Sequence, residues 1–405
     1  MHYVIIGGSA AGVSCIEGIR ETDTESRITL ISDEKTALYS RSVISYFLAG
    51  IINEGNIFFK KRDFFERNNV DAILGIRAIK IDLNEKIVLT ADKNKITFDK
   101  LLIAAGAKPV VPEITGTEKN GVYMLRTIKD AKAIDTVLKR TRTAVILGGG
   151  LVGLRAAFAL NSRGVIVKII TGSDRILSQM LDPEPAALMQ KKIERRGISV
   201  LTGREVEEIL GEDSVEEVRL DDGTKLRCDL IVIGKGVEPN IGLVEDTGIK
   251  INRGIVVDAF LKTNVEDVFA AGDVTERKDI SSDSGTLSKI WPCAVEEGKT
   301  AGRNMAGKKT PYDALASMYS IEFFGLPVAS MGLTRPKDRT FEEVADFDAG
   351  KELYKKAVLK DGIICGFLCV GNSKNVSVYK HLIANRVDVS KHTDKLLSEN
   401  FQHSN

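Results

Sequence analysis

The chain has 405 residues, 43% hydrophobic and 28% charged, which is too long for one core and too apolar for disorder, so two or three domains are expected. The 57 Lys and Arg balance 56 Asp and Glu to a net charge of +1, so neither nucleic acid nor an anionic membrane is expected as a partner. No apolar run reaches the roughly 18–20 residues of a membrane span, and the chain enters a strand directly after Met1 with no room for a signal peptide, so a cytoplasmic location is expected.

In chain order, Tyr3 to Ile6 is a short apolar strand that ends in Gly7-Gly8-Ser9-Ala10-Ala11-Gly12. A helix follows to about Arg20, then a strand over Ile28 to Ile31 that ends in Ser32-Asp33-Glu34. Strand, Gly-rich turn, helix, strand is the pattern of a dinucleotide-binding unit. Lys80 to Thr97 alternates as an antiparallel element does, and Leu101 to Ala104 is a buried strand. The opening pattern returns about 140 residues later, one domain away rather than one solenoid unit. Thr143 to Leu147 is the strand, Gly148-Gly149-Gly150-Leu151-Val152-Gly153 the turn, and Val165 to Ile170 the strand after the helix. Val215 to Cys228 predicts a hairpin turning at Asp222-Gly223, and Leu230 to Ile233 another buried strand. Lys278 to Gly285 predicts an exposed polar loop. From about Tyr319 the pattern changes to short strands and a helix over Val376 to Asn385.

The first turn suits a pyrophosphate, because a helix N-terminus offers N–H groups and the positive end of a dipole. Gly7 permits the tight turn and Gly12 the close packing of helix on strand; Ser9 stands where a middle Gly is usual. Asp33 and Glu34 are the candidates for binding ribose hydroxyls. The second turn carries Gly148, Gly150 and Gly153 at the full spacing, but the strand after it ends Ile170-Thr171-Gly172-Ser173, without an acid. With no carboxylate at Thr171 to repel a 2′-phosphate, NADPH is as acceptable as NADH.

With these features the chain resembles the FAD-dependent pyridine nucleotide–disulfide oxidoreductase superfamily, in particular its rubredoxin reductases, NADH oxidases, coenzyme A disulfide reductases and nitrite reductase flavin halves. Phe98 to Gly106 looks like the segment that closes the FAD domain, with Ala105 where Thr is usual. Thr263 to Asp273 looks like the second FAD motif, and Trp291 to Gly298 like the helix facing the flavin. Gly362 to Asp388 resembles the C-terminal domain of the rubredoxin and nitrite reductase branches. The implied fold class is α/β, with two Rossmann-like domains of the glutathione-reductase type and a C-terminal α+β domain. The implied FAD domain is split over 1–108 and 250–318, the NAD(P) domain covers 109–249, and 319–405 forms an interface domain that supports dimers in relatives. The implied cofactors are FAD and NADH or NADPH. Beside the residues already named, Ala11, Arg41, Ser42, Ala104, Ala105, Gly106, Gly272, Asp273 and Glu297 are expected around FAD, and Arg126, Val152, Arg155 and Gly236 around the nicotinamide dinucleotide. Arg41, in a Tyr39-x-Arg41 spacing, would sit near the flavin pyrophosphate.

Two departures from the family matter. The Cys-x4-Cys pair of its disulfide reductases is absent, and Ser42 occupies the position of the single redox Cys, so dithiol chemistry there is excluded. Where many relatives have Glu beside the nicotinamide, this chain has Arg155, which inverts the local charge. Arg155 either pairs with a nearby carboxylate, meets the anionic group of another electron donor, or swings out into a surface ion pair. Cys15, Cys228, Cys293, Cys365 and Cys369 form no disulfide framework; Cys365 and Cys369 are read as core thiols, and Cys293, which the resemblance places near the flavin ring, as either a packing thiol or a functional one. The four His residues form no metal-type cluster, and no metal is expected. His381 and His392 are expected on the surface, as is the charged run Lys191 to Arg196.

The expected function is hydride transfer from nicotinamide to flavin N5, with electrons passed to a small redox protein such as rubredoxin or an iron–sulfur partner. Two alternatives are kept: an oxidase that makes hydrogen peroxide from oxygen, and a flavoprotein subunit without a working nicotinamide site.

Overall fold

The computed structural model describes residues 1–278, 285–286, 290–312, 318–336, 338–371, 375–398 and 401. The chain divides into two compact units. One comprises Met1–Ser42, Glu54–Lys108 and Val237–Ala314; the other comprises Val43–Asn53, Pro109–Gly236 and Leu315–Asn405.

The first unit is built on a five-stranded parallel sheet in the order Val268–Ala270, Lys100–Ile103, His2–Ile6, Arg27–Ser32, Val70–Leu74. Its inner strands are continuous apolar runs because they are covered on both faces; Val4, Ile5, Leu30, Leu101 and Leu102 are fully buried. Between Val70–Leu74 and Lys100–Ile103 the chain makes an antiparallel meander of Ala78–Asp82, Ile87–Thr90 and Lys95–Thr97. The Ala10–Arg20 helix packs on Trp291–Met305 with backbone against backbone. A Cβ at Gly298 would overlap the carbonyl of Ala11, and one at Gly302 the carbonyl of Cys15.

The second unit repeats this plan. Its parallel sheet runs Ser199–Thr202, Ile166–Thr171, Thr143–Leu147, Leu230–Ile233, Val122–Met124. Again a meander, here Val206–Leu210, Glu217–Leu220 and Lys225–Arg227, precedes the fourth strand, and the hairpin turns at Asp222-Gly223 with Gly223 at φ +82°. The two sheets differ in where the last edge strand comes from. Val122–Met124 precedes the rest of its sheet, whereas Val268–Ala270 joins its sheet only after the whole second repeat has been inserted.

The second unit also holds an antiparallel sheet in the order Met318–Phe323, Leu326–Gly332, Ile363–Val370, Leu353–Lys360, Glu342–Asp348. The Val376–Ala384 helix lies on it, with Tyr379 stacked on Phe367 at 3.7 Å between ring centroids. The fold is thus α/β with an added α+β part, and no helix among the described residues is long and apolar enough to cross a membrane.

Two expectations need correction or restriction. Cys369 is a core thiol, but Cys365 is only half-buried: the register between Leu353–Lys360 and Ile363–Val370 shifts between Val358 and Leu359, which breaks the alternation that would place both thiols on one face. The polar segment 279–284 lies outside the described residues; the strands Thr275–Lys278 and Gly285–Thr286 on either side of it pair antiparallel. His381 and His392 are exposed. So is most of the Lys191–Arg196 run, although Lys192 pairs with Glu352.

Candidate functional site

The two Gly-rich turns share one hydrogen-bond plan. Gly7 N–H donates to Ile31 O at 2.8 Å, as Gly148 N–H does to Ile170 O at 2.7 Å. Val13 N–H donates to Ser9 O at 2.9 Å, as Leu154 N–H does to Gly150 O at 2.9 Å. Ala104 N–H donates to Ile6 O and Gly234 N–H to Leu147 O, both at 2.7 Å. Gly7 and Gly148 lie at φ +121° and +115°, where side chains are strained, and a Cβ on either would overlap the carbonyl of Ala104 or Gly234. A Cβ at Gly12 or Gly153 would overlap the carbonyl of Gly7 or Gly148.

Both turns deliver a helix N-terminus to the carboxyl edge of a parallel sheet. Ser9 and Gly150 are N-caps with no side-chain cap bond, and neither first turn holds an acid. The Ile128–Val137 helix instead closes its own end with a capping box of Thr127 and Asp130, which also accepts the Arg126 amide at 3.0 Å. A Cβ built at Gly150 meets nothing within 4 Å, so the space before that helix is open, and Ser9 stands at the matching place in the first turn. Open space, first-turn N–H groups and no opposing carboxylate fit the pyrophosphates of FAD and NAD(P). Ala11 and Val152 occupy the same position in the two helices; Ala11 also packs under Gly272.

In the first unit Glu34 follows the Arg27–Ser32 strand and accepts from both Tyr39 Oη and Arg41 Nη2. The carboxylate expected at the ribose and the cation expected at the pyrophosphate are thus joined in one half-buried pair. Asp33 beside them is exposed, and Ser42 lies in a 3-10 turn, Arg41–Val43. Across the sheet edge, Ala104 is buried, Ala105 is half-buried, and Gly106 at φ +68° accepts from the Asn240 amide at 2.9 Å. Gly272, at φ +82°, donates its N–H to Glu297 Oε2 at 2.7 Å, and Thr275 Oγ1 reaches the same oxygen at 3.2 Å. Glu297 is fully buried and holds the turn that presents Asp273.

In the second unit Arg155 lies on the Leu151–Ser162 helix, half-buried, with Nη1 3.5 Å from Ser45 Oγ; it is not swung out to the surface. Gly236 is at φ +100°, with open space where a Cβ would stand.

One residue was not foreseen. Glu205, on the loop after Ser199–Thr202, brings its carboxylate against Gly172, where a Cβ would overlap Oε1. The loop is fixed by Arg204 N–H donating to Thr171 O at 3.1 Å and Gly203 N–H to Ser173 O at 2.9 Å. Lys235 Nζ, just past the Leu230–Ile233 strand, pairs with Glu205 Oε2. An acid therefore does stand at the end of Ile166–Thr171, supplied from a different loop. Only the glycine at 172 hints at it in the sequence.

Three of the thiols are buried deeply enough to shift their titration. Burial pushes the Cys15 thiol well above its ordinary range, Cys228 up to about 12 and Cys369 up to about 11.

Comparison with known proteins agrees with this geometry. Residues 1–298 match the family model for pyridine nucleotide-disulphide oxidoreductases, and residues 318–387 match the rubredoxin NAD+ reductase C-terminal domain. The chain is 30% identical to the assimilatory nitrate reductase electron transfer subunit of Bacillus subtilis, over 92% of this chain but 48% of that protein, so it spans about half the length of that relative. It is 30% identical to the NADH-dependent phenylglyoxylate dehydrogenase subunit epsilon of Aromatoleum evansii, over 96% of this chain and 92% of that one. A solved NAD-dependent persulfide reductase from A. fulgidus superposes with a TM-score of 0.89 at 25% identity, covering 100% of this chain and 80% of that one.

Proposed function

The chain belongs to the pyridine nucleotide–disulphide oxidoreductase family, the oxidoreductases that use FAD and NAD(P)H, and we propose that it passes electrons from NAD(P)H to a small redox protein such as rubredoxin or an iron–sulfur protein. FAD held at the Gly7–Gly12 turn would supply the two-electron to one-electron conversion between a nicotinamide and a one-electron acceptor. The observation that carries the reading is Ser42: the position of the redox thiol holds a hydroxyl, which forms neither a mixed disulfide nor a sulfenic acid. Burial pushes the Cys15, Cys228 and Cys369 thiols above their ordinary range, which disfavours their thiolates. With no thiol at position 42, electrons would leave the flavin directly.

In this reading the Gly7–Gly12 turn binds the FAD pyrophosphate, with Asp273 directed to the ribityl chain. Glu34 and Arg41 order the adenosine side. The Gly148–Gly153 turn binds the nicotinamide dinucleotide, and Gly236 leaves room for its approach. FAD is assigned to residues 1–108 and 250–318, the nicotinamide dinucleotide to 109–249, and residues 319–405 to an interface for the acceptor or a second copy. The match of 318–387 to a rubredoxin reductase domain supports that last assignment.

Anaerobic stopped-flow mixing of the FAD-loaded protein with NADH and NADPH tests the reading. Rapid flavin bleaching followed by one-electron reduction of rubredoxin or ferredoxin is expected. Reoxidation in air at turnover rates with stoichiometric peroxide would instead make it an oxidase, which the absent thiol also permits. An unbleached flavin at millimolar nucleotide would leave a subunit whose electrons come from a partner.

A further inference from the structure

We infer that Glu205 is the residue that makes this site prefer NADH to NADPH, reading the adenosine ribose with a carboxylate brought in from outside the usual strand end. The inference rests on the nucleotide-site reading above and adds a residue to it. In a dinucleotide-binding unit the ribose hydroxyls meet the end of the strand that follows the Gly-rich helix. Here that strand is Ile166–Thr171, and its end carries Thr171 and Gly172. Glu205 fills the space that a side chain at 172 would take.

Its position is fixed from several directions. The Arg204 and Gly203 amides bind the loop to Thr171 and Ser173, and Asp221 N–H donates to Glu205 O at 3.0 Å. Lys235 holds the carboxylate itself from the far side of Gly148, whose Cβ position lies 3.3 Å from Lys235 N. The Glu205 side chain remains half-exposed, so it keeps an oxygen for a ligand.

The neighbouring cations argue against a 2′-phosphate. That group needs an unengaged Arg or Lys at the strand end. Among the described residues there, Lys235 is paired with Glu205, Arg204 with Asp222 at 3.2 Å, and Arg175 with both oxygens of Asp174 at 2.8 Å. A 2′-phosphate would meet the Glu205 carboxylate and would have to break one of these pairs to be neutralised. A 2′-hydroxyl would donate to the same carboxylate. Gly172 is what makes this arrangement possible, since its missing Cβ is the space that the carboxylate occupies.

Calorimetric titration of the FAD-loaded protein with NAD+ and NADP+ separates the possibilities without any turnover. Wild type is expected to bind NAD+ at least about ten-fold more tightly. Glu205→Gln should bring the two within about three-fold, chiefly by strengthening NADP+. Gly172→Ala keeps the carboxylate but displaces it, at a position where the backbone is unstrained and only a flexible side chain must move. It should shift the ratio in the same direction, with flavin content and Tm unchanged. If wild type binds both nucleotides but neither variant alters the ratio, the role of Glu205 is overturned and the nucleotide site stands. If wild type binds NADP+ as tightly as NAD+, the inference fails on its premise. If wild type binds neither, the nucleotide-site reading fails and the inference with it.

Discussion

Glu297 and Gly272 meet through a single buried hydrogen bond of 2.7 Å that joins the Trp291–Met305 helix to the turn before Asp273. Glu297 is 0% exposed, so its carboxylate is compensated by what it binds, here the Gly272 amide and the Thr275 hydroxyl. Glu297→Ala leaves the Gly272 amide without that acceptor, at a cost of about 1–3 kcal/mol, while the Thr275 hydroxyl keeps the Gly272 carbonyl at 2.8 Å. The expected result is a Tm several degrees lower and faster release of FAD, read by flavin fluorescence. Unchanged FAD retention with a lowered Tm would confine Glu297 to a structural role.

Lys356 makes a comparable contribution in the second unit. Its side chain is 4% exposed, and Nζ lies 2.8 Å from both Asp182 Oδ2 and Glu343 Oε2, while Tyr354 Oη donates to Asp182 at 2.6 Å. Lys356→Met removes the cation from Asp182, which begins the Pro183–Glu194 helix and keeps only the Tyr354 hydroxyl of the bonds named here. With both carboxylates partly exposed, the cost falls below the roughly 3–5 kcal/mol of a fully buried pair, and urea unfolding would record it as a lower midpoint. The double variant Lys356→Met with Asp182→Asn should recover part of the loss. A double variant no better than the single one would contradict the pairing.

Acid stability should depend on Glu21. The Arg303 guanidinium and the Lys299 ammonium, both hydrogen-bonded to it, hold its carboxyl at about 2, below the ordinary 4.5. A depressed carboxyl contributes stability that is fully present above the unfolded value of 4.5 and is lost as pH falls through about 2. Glu21→Gln should therefore be less stable than wild type at pH 6, with the gap narrowing below pH 4.5 and closing only below about pH 2. Because the pair is partly exposed, the difference should also shrink in high salt. A gap between the two proteins that does not narrow on acidification would contradict this.

Native-state alkylation checks the absence of a thiol relay. Cys15, Cys228, Cys293 and Cys369 are buried, and Cys365 alone is half-buried. With iodoacetamide at pH 8, Cys365 should label first, seen by mass spectrometry, and electron transfer from NAD(P)H should be unaffected. Loss of activity in step with labelling of any single Cys would overturn the direct route from flavin to acceptor.

The duplicated turns were legible in the sequence because glycine is needed there for reasons local to the chain. Gly7 and Gly148 sit at positive φ, and Gly12 and Gly153 leave no room for a Cβ beside the preceding carbonyl. The parallel sheets were legible because strands covered on both faces must be apolar where they are buried, as 144–147 and Leu230–Ile233 are. Glu205 was not legible, because the loop that carries it reaches Gly172 only through tertiary packing. Nor was the half-burial of Cys365, which depends on a register shift against a partner strand rather than on its own segment. The Glu34–Arg41 pair falls between these cases: both residues stood out, but no spacing rule joined them.

Arg155 yields a prediction whose sign follows from charge alone. The proposed reading puts this position beside the nicotinamide ring, and the side chain is half-buried on the Leu151–Ser162 helix with Ser45 Oγ 3.5 Å away. The oxidised ring carries a positive charge that the reduced ring lacks. A guanidinium nearby therefore weakens NAD+ more than NADH, and a partly buried site screens this less than water does. Arg155→Glu should tighten NAD+ about ten-fold relative to NADH, corresponding to about 1.4 kcal/mol of differential interaction. Arg155→Met should fall between the two. Anaerobic titration of both nucleotides against the three proteins measures the ratio directly. A ratio that stays constant from Arg through Met to Glu would place residue 155 away from the ring, and with it the reading of the nicotinamide end of the site.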